Sequence, residues 1–310
     1  MHNTGAGITV NAKSVIIVSL ISVAYLALSG FLIGYKSDEL VLITVFNLFF
    51  YLTPGTRKFI LGFSIFIVYW IIFDYMKAFP NYNYNPVHIK DIYDFEKRLF
   101  GLHYQGQLLT VNEYWQLNSK TYLDIIGGLF YLCWVPVPLG FAAYLFFKRK
   151  KEFLYFALTF FTVNILGFVV YYLYPAAPPW YVQMHGFHFI AHTPGNTGGL
   201  ARFDRYFNTD IFKGIYAKSS NVFAAMPSLH SSYPVIVLYY GIKNRLGWAN
   251  AFFTLVMLGI WCTAVYAGHH YIIDVLSGIV CAITGILLFN FLAQLKPTQS
   301  FLNKYANIIS

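Results

Sequence analysis

The chain has 310 residues, 58% of them hydrophobic and 11% charged, with a mean hydropathy of +0.55 and a formal net charge of +9. A soluble domain carries about 25% charged residues, so the composition excludes a soluble globular protein and makes lipid the solvent for most of the chain. The excess positive charge is accounted for by where the cations fall between apolar runs, and it gives no reason to invoke nucleic acid.

Eight apolar runs are candidate spans: 14–35, 39–53, 59–79, 121–147, 152–174, 222–242, 247–268 and 271–295. Most approach the roughly 20 residues a span requires, and the second is short. The first is too long for a signal peptide and no small-residue cleavage site follows it, so it reads as a retained helix. Cys133, Cys262 and Cys281 lie inside apolar runs without CxxC spacing and read as packing residues. The expected fold class is all-α: a polytopic membrane bundle of about eight transmembrane helices. Its expected parts are N-terminal helices over 1–79, an extracytoplasmic loop over 80–120, a helical core over 121–295 that includes an outer loop at 175–221, and a short cytoplasmic tail over 296–310. In the 80–120 loop, Ile89, Ile92, Tyr93, Leu99 and Phe100 recur at helical spacing, opposite Lys90, Asp91, Asp94, Lys97 and Arg98. This predicts an amphipathic helix lying at the outer surface.

Orientation follows from the cations of the short turns. With a cytoplasmic N-terminus, Lys13, Arg57, Lys58, the Lys148–Lys151 cluster, Lys243, Arg245 and Lys296 all face the cytoplasm. The two long loops and the 268–271 turn then face outward.

Three polar motifs meet on that outer face. The fifth run ends at Tyr174-Pro175-Ala176-Ala177-Pro178-Pro179-Trp180, where prolines stop the helix and Trp180 and Tyr181 suit the membrane interface. The sixth begins at Met226-Pro227-Ser228-Leu229-His230, and the eighth at Gly268-His269-His270-Tyr271-Ile272-Ile273-Asp274. Two spans of about 20 residues, each rising about 1.5 Å per residue, cross and return. His230 and His270, forty residues apart, are therefore expected at one depth.

His270 and Asp274 are four apart and share a helical face. A carboxylate there accepts the imidazole Nδ1–H and leaves Nε2 free as a nucleophile. An acid at that depth is costly without such a partner. His269 points about 100° away on a helix and reads as a supporting or interfacial residue. Pro227 breaks the chain before the sixth helix, so backbone N–H groups near Ser228 and Leu229 are expected to be unpaired and to suit a phosphate oxygen. His230 is placed to protonate a leaving alkoxide and later to deprotonate an attacking hydroxyl. Two histidines and an aspartate are also a zinc donor set. The Pro-Ser-x-His context suits phosphate better, and no metal or other cofactor is expected. One histidine near an interface is commonly only that. The convergence of three motifs on one face points to phosphoryl transfer.

These residues resemble the type 2 phosphatidic acid phosphatase superfamily, whose second motif is Pro-Ser-Gly-His-like and whose third is Ser-Arg-x5-His-x3-Asp. Here they stand as Pro227-Ser228-Leu229-His230 and as Thr263-Ala264 followed by His270 and Asp274. The resemblance implies a six-helix core, a phosphohistidine on His270 oriented by Asp274, and His230 as acid and base. The sequence departs from the phosphatase pattern at three cations. Tyr174-Pro175 replaces Arg-Pro, Gly167 stands where Lys is expected, and Ala264 replaces Arg. A phosphomonoester carries up to two negative charges and needs cationic clamps, whereas a diester carries one. The losses point to a diester and to headgroup transfer rather than hydrolysis.

The inositol phosphorylceramide synthase branch is more similar. It is matched by Pro175–Tyr181, by Gly198-Gly199-Leu200-Ala201-Arg202-Phe203-Asp204, by Phe223–Ser231 and by His269-His270-Tyr271. On that resemblance the donor is phosphatidylinositol, the acceptor is the primary hydroxyl of ceramide, and diacylglycerol is released. Ser228, Arg202, Asp204, Pro178, Trp180 and His269 are the expected substrate-binding residues, with Arg202 and Asp204 on the phosphate or headgroup. Asp124 and Asp74, near the outer helix ends, are weaker candidates. The chain ends soon after the eighth run, without the longer tail of the fungal enzymes. That favours a bacterial inner membrane over a Golgi membrane, with the site periplasmic or luminal. The alternatives are a lipid phosphatase or diphosphatase of the same superfamily, and a transporter or scaffold. A transporter would scatter polar groups along a path through the bilayer, whereas here they cluster on one face.

Overall fold

The computed structural model describes residues 10–219 and 221–310, so the first nine residues of the N-terminal segment and Ser220 of the outer loop lie outside the account. In chain order come α1 (Ala12–Ile33), α2 (Ser37–Leu52), α3 (Pro54–Tyr75), α4 (Lys90–Phe100), a hairpin of β1 (Leu102–Tyr104) and β2 (Gln107–Leu109), and α5 (Val111–Leu117). Then follow α6 (Thr121–Leu132), α7 (Pro136–Lys148), α8 (Lys150–Leu173), α9 (Pro179–His185), α10 (Ala201–Phe207) and α11 (Ile211–Ala217). The chain continues through α12 (Leu229–Lys243), α13 (Ala249–Tyr266), α14 (Ile272–Leu292) and α15 (Lys296–Ile309).

The architecture is all-α and polytopic. Among the described residues, six segments are long and apolar enough to cross a membrane: Ala12–Ile33, Pro54–Ala78, Thr121–Lys148, Lys150–Leu173, Ala249–Tyr266 and Ile272–Leu292. The other two predicted runs are helical but short, 16 residues in α2 and 15 in α12. The sixth run was expected from 222, yet α12 starts only at Leu229. Pro227 cannot donate to a helical ladder, and Ser228 caps the helix through its side chain. The fourth run divides at Cys133–Val135, ahead of Pro136 and Pro138, for the same reason. The predicted amphipathic helix is α4. The hairpin after it was not foreseen: Gln105 and Gly106 both take positive φ, 49° and 79°, as a two-residue primed turn requires.

The chain forms two compact units. One holds the segment ending at Phe79 together with Ala142–Phe161 and Leu288–Ser310. Its core is aromatic, with Phe63 against Phe66, Phe146 and Phe153. The residues expected to be a short tail form α15, whose Tyr305 hydroxyl donates to the Leu61 carbonyl at 2.6 Å.

The second unit comprises Pro80–Phe141 and Thr162–Leu287 and carries the polar motifs. Here α13 packs against α12 and α6, and small residues set how closely backbones approach. Gly278 of α14 lies directly against the backbone that starts α12. A Cβ there would lie 2.2 Å from the Ser228 carbonyl oxygen, and Ser232 Oγ donates to the Gly278 carbonyl at 2.7 Å. Gly140 of α7 has nothing within 4 Å of its would-be Cβ. Gly278→Ala is expected to destabilise the protein by about 1–3 kcal/mol through overpacking, and Gly140→Ala to leave it within about 0.5 kcal/mol. Thermal unfolding of the two variants in detergent checks this.

Candidate active site

Three extended segments meet beneath the site. Pro175–Ala177, just past α8, lies between His88 and Phe223–Ala225. His88 N–H donates to Pro175 O (2.8 Å), Ala177 N–H to His88 O (2.9 Å), Ala176 N–H to Phe223 O (2.9 Å) and Ala225 N–H to Ala176 O (3.2 Å). Asn81 Nδ2 ties in the Tyr171 and Phe223 carbonyls at 2.7 and 2.9 Å. The proline-rich segment is thereby drawn inward. Trp180 and Tyr181, expected at the membrane interface, are buried with Ile89, Ala177 and Phe223.

The histidines meet at the turn between α13 and α14. The Ala264 carbonyl accepts the N–H groups of both His269 and His270 at 3.0 Å, reversing the chain. His230 Nδ1 and His270 Nε2 then lie 3.2 Å apart. His270 Nδ1 faces Asp274 Oδ2 at 3.6 Å, longer than a hydrogen bond. That carboxylate oxygen accepts the Tyr271 N–H at 2.8 Å instead. Neither His270 Nδ1 nor Asp274 Oδ1 has a hydrogen-bond partner. The pair is aligned, and a movement of a few tenths of an ångström would join it; catalytic hydrogen bonds commonly tighten when substrate binds. Burial pushes the His270 imidazole down to about 4, which keeps it neutral near pH 7. Burial likewise lowers His269 to about 3, helped by its histidine neighbours. His269 Nε2 pairs with the Thr197 carbonyl at 2.8 Å, and its ring stacks on Tyr216, centroids 4.4 Å apart. The edge-on indole of Trp134 sits 4.5 Å from the His230 ring centroid.

A cavity of about 90 Å³ opens over these groups, lined by His230, His269, His270, Pro178, Trp180 and Asn196 among others. Ser228 behaves differently from expectation. Its N–H donates to the Asp274 carbonyl at 2.9 Å, and its Oγ accepts from Ser231. The α12 start uses these groups itself, so the Ser228 N–H is already paired. Arg202 and Asp204 separate. Arg202 Nε donates to Asp124 Oδ1 at 2.6 Å, and the Tyr266 hydroxyl donates to the same oxygen at 2.7 Å. Asp204 accepts the Phe212 and Lys213 N–H groups at 3.2 and 3.0 Å and so holds the start of α11. Asp74 pairs with Lys77 in the other unit.

The positions that lack cations are filled by packing. A Cβ on Gly167 would lie 2.7 Å from Leu229 Cδ2, and Ala264 is fully buried in an apolar cluster with Val256 and Ile260. A larger side chain at Gly167 would have to displace Leu229, and a charged one at Ala264 would have to enter the apolar cluster.

Two further residues hold the histidine turn. Asn112 Nδ2 donates to the His270 and Val265 carbonyls at 2.9 and 2.7 Å. Glu96 of α4 is fully buried, and its two oxygens accept the Ile272 and Ile273 N–H groups at 3.0 and 3.1 Å. It satisfies the otherwise open N-terminus of α14. Its signal in the sequence is an acid on the apolar stripe, one turn from Ile92 and Phe100. Asn112 has no comparable signal.

A histidine pair, His270 buried and His230 partly buried, stands beside buried Asp274 at the start of two helices of a polytopic bundle, an arrangement suited to phosphoryl transfer in a membrane enzyme. The PAP2 superfamily matches residues 91–288, more than half of the chain, and the chain belongs to that superfamily. It is 42% identical over 300 residues to the phosphoinositol dihydroceramide synthase of Bacteroides thetaiotaomicron, covering 96% of this chain and 98% of that protein. It is 28% identical over 255 residues to the inositol phosphorylceramide synthase catalytic subunit of Schizosaccharomyces pombe, covering 79% of this chain and 56% of that one. The inositol phosphorylceramide synthase of Candida albicans is 31% identical over 173 residues, about half of this chain and 35% of its own. No solved structure matches.

Burial raises the Glu96 carboxyl from 4.5 to about 7, outweighing the two backbone N–H groups that favour its charged form. The folded state then binds the proton more tightly than the unfolded chain. The stability this confers is complete below pH 4.5 and lost as pH rises through about 7. Glu96→Gln, which cannot ionise, is expected to flatten that part of the stability profile. Unfolding midpoints measured in detergent across this pH range test it.

Proposed function

We propose that this protein transfers phosphoinositol from phosphatidylinositol to the primary hydroxyl of a ceramide-type acceptor, releasing diacylglycerol, through a phosphohistidine on His270. The observation that carries the reading is the meeting of His230 Nδ1 and His270 Nε2 at 3.2 Å beside Asp274, in a chain matched end to end by a phosphoinositol dihydroceramide synthase.

In the first half-reaction, neutral His270 attacks phosphorus through Nε2 and the bond to the diacylglycerol oxygen breaks. Burial and the neighbouring His270 push His230 down to about 3 in the free protein, so the step requires the anionic diester to raise it; protonated His230 then delivers its proton to that oxygen. The phosphorylated imidazole keeps its Nδ1–H and becomes cationic, and the Asp274 carboxylate opposite stabilises that charge. In the second half-reaction, His230 takes the proton of the acceptor hydroxyl, the new phosphorus–oxygen bond forms, and the bond to His270 breaks. Both histidines return to their starting states.

Cation placement supports a periplasmic site in a bacterial membrane. The missing phosphatase cations, with Gly167 and Ala264 closed by packing, weigh against phosphomonoester hydrolysis.

Purified protein with radiolabelled phosphatidylinositol and ceramide is expected to yield labelled sphingolipid and diacylglycerol. His270→Ala should lower the rate by at least about 1,000-fold. Phosphate release from phosphatidic acid with no transfer to ceramide would sink the proposal. The acid limb of kcat/KM is expected near pH 4, below the ordinary imidazole value of 6.5, because the nucleophile is neutral only above its own pKa. A pH–rate profile with a soluble short-chain donor checks it.

A further inference from the structure

A second cavity, of about 200 Å³, adjoins the histidine cavity and shares Trp180 and Asn196 with it. Its wall carries neutral hydrogen-bonding side chains, Asn112, Gln116, Gln183 and Asn196, together with Arg202. No carboxylate is among the described residues that line it. Asp124, behind Arg202, is already engaged by that guanidinium and by the Tyr266 hydroxyl.

Two polar atoms on this wall are buried without a partner among the described residues. Asn112 is 1% exposed; its Nδ2 holds the histidine turn, which leaves Oδ1 unpaired. Arg202 uses Nε on Asp124, and its Nη2 is unpaired. Gly199 admits that guanidinium, since a Cβ there would lie 2.8 Å from Nη2. Buried polar groups are nearly always hydrogen-bonded in folded proteins. An unmet acceptor and an unmet donor on one wall point to a ligand that brings both.

We infer that this cavity is the headgroup subsite and that it selects an uncharged polyol, taking the ring of the donor while the phosphodiester lies at His270. The inference rests on the transfer reading above. Each hydroxyl of a polyol both donates and accepts, and so do the amides that face it. An ammonium or choline headgroup finds no carboxylate lining the cavity and offers no acceptor to the unpaired Nη2 donor of Arg202. The cavity thus distinguishes between donors that the histidines and Asp274 treat alike, because those groups touch only the phosphodiester.

The test uses the full chain in detergent and two soluble probes, glycerophosphoinositol and glycerophosphoethanolamine, titrated calorimetrically beside the transfer assay. Gln183→Leu and Gln116→Leu each remove hydrogen-bonding capacity from the wall; Gln116 is exposed on α5, so its replacement leaves packing intact. Wild type is expected to bind glycerophosphoinositol at least about tenfold more tightly than glycerophosphoethanolamine. Each variant should weaken that binding about tenfold and raise the KM for phosphatidylinositol more than it lowers kcat. Unchanged glycerophosphoinositol binding in both variants, with transfer still dependent on His270, would overturn the subsite and leave the transferase reading standing. Equal binding of the two probes would overturn polyol selection. Variant-sensitive glycerophosphoinositol binding without transfer from any donor would support the subsite and sink the transfer reading.

Discussion

The turn between α13 and α14 must bring His270 within hydrogen-bonding distance of His230, and most of the second unit is arranged around that requirement. Five residues hold the turn through backbone groups. Ala264 accepts both histidine N–H groups, Asn112 donates to the His270 and Val265 carbonyls, and Glu96 receives the first N–H groups of α14. Ser228 donates to the Asp274 carbonyl, and Gly278 lets α14 lie directly against the Ser228 backbone. Each bond satisfies a peptide group that would otherwise be open at a buried helix end, where an unmet group is costly. The geometry of the histidine pair therefore follows from the backbone accounting of two helix ends.

The loops over 80–120 and 175–221 support the histidine turn. Of residues 80–120, α4 supplies Glu96 and α5 supplies Asn112, and His88 joins the ladder with Ala176 and Phe223. The 175–221 segment supplies Trp180, Asn196 and Thr197 around the histidines. The helices that carry the histidines begin in this region, and these loops supply the polar partners of their first turns. The same segments build the amide-lined cavity, so holding the histidine turn and shaping that cavity are parts of one arrangement.

Loss of the cations usual among phosphatases of this superfamily is tied to packing. Leu229 occupies the space beside Gly167, and Ala264 is sealed in an apolar cluster while its carbonyl holds the histidine turn. Restoring a clamp at either position would disturb the start of α12 or the turn itself. The proposed transfer from a singly charged diester asks for less cationic charge than a doubly charged phosphate would.

The sequence by itself determined the membrane solvent, the helical runs and the meeting of His230, His270 and Asp274. Hydropathy and the 3.6-residue period are local properties, and a down-and-back pair of spans returns motifs to one depth. It also disclosed the cation losses, which are single-letter facts. The state of Ser228, the partition of Arg202 from Asp204 and the inward burial of Trp180 were decided by tertiary structure, because each depends on which groups distant in sequence lie within reach. Ser228 N–H reaches the Asp274 carbonyl, Arg202 reaches Asp124 from 78 positions away, and Asp204 turns to the start of α11. Glu96 lies between the two cases. Its place on an apolar stripe was visible in the letters, but its partners are 176 and 177 residues downstream, and no local pattern encodes a pairing across that distance.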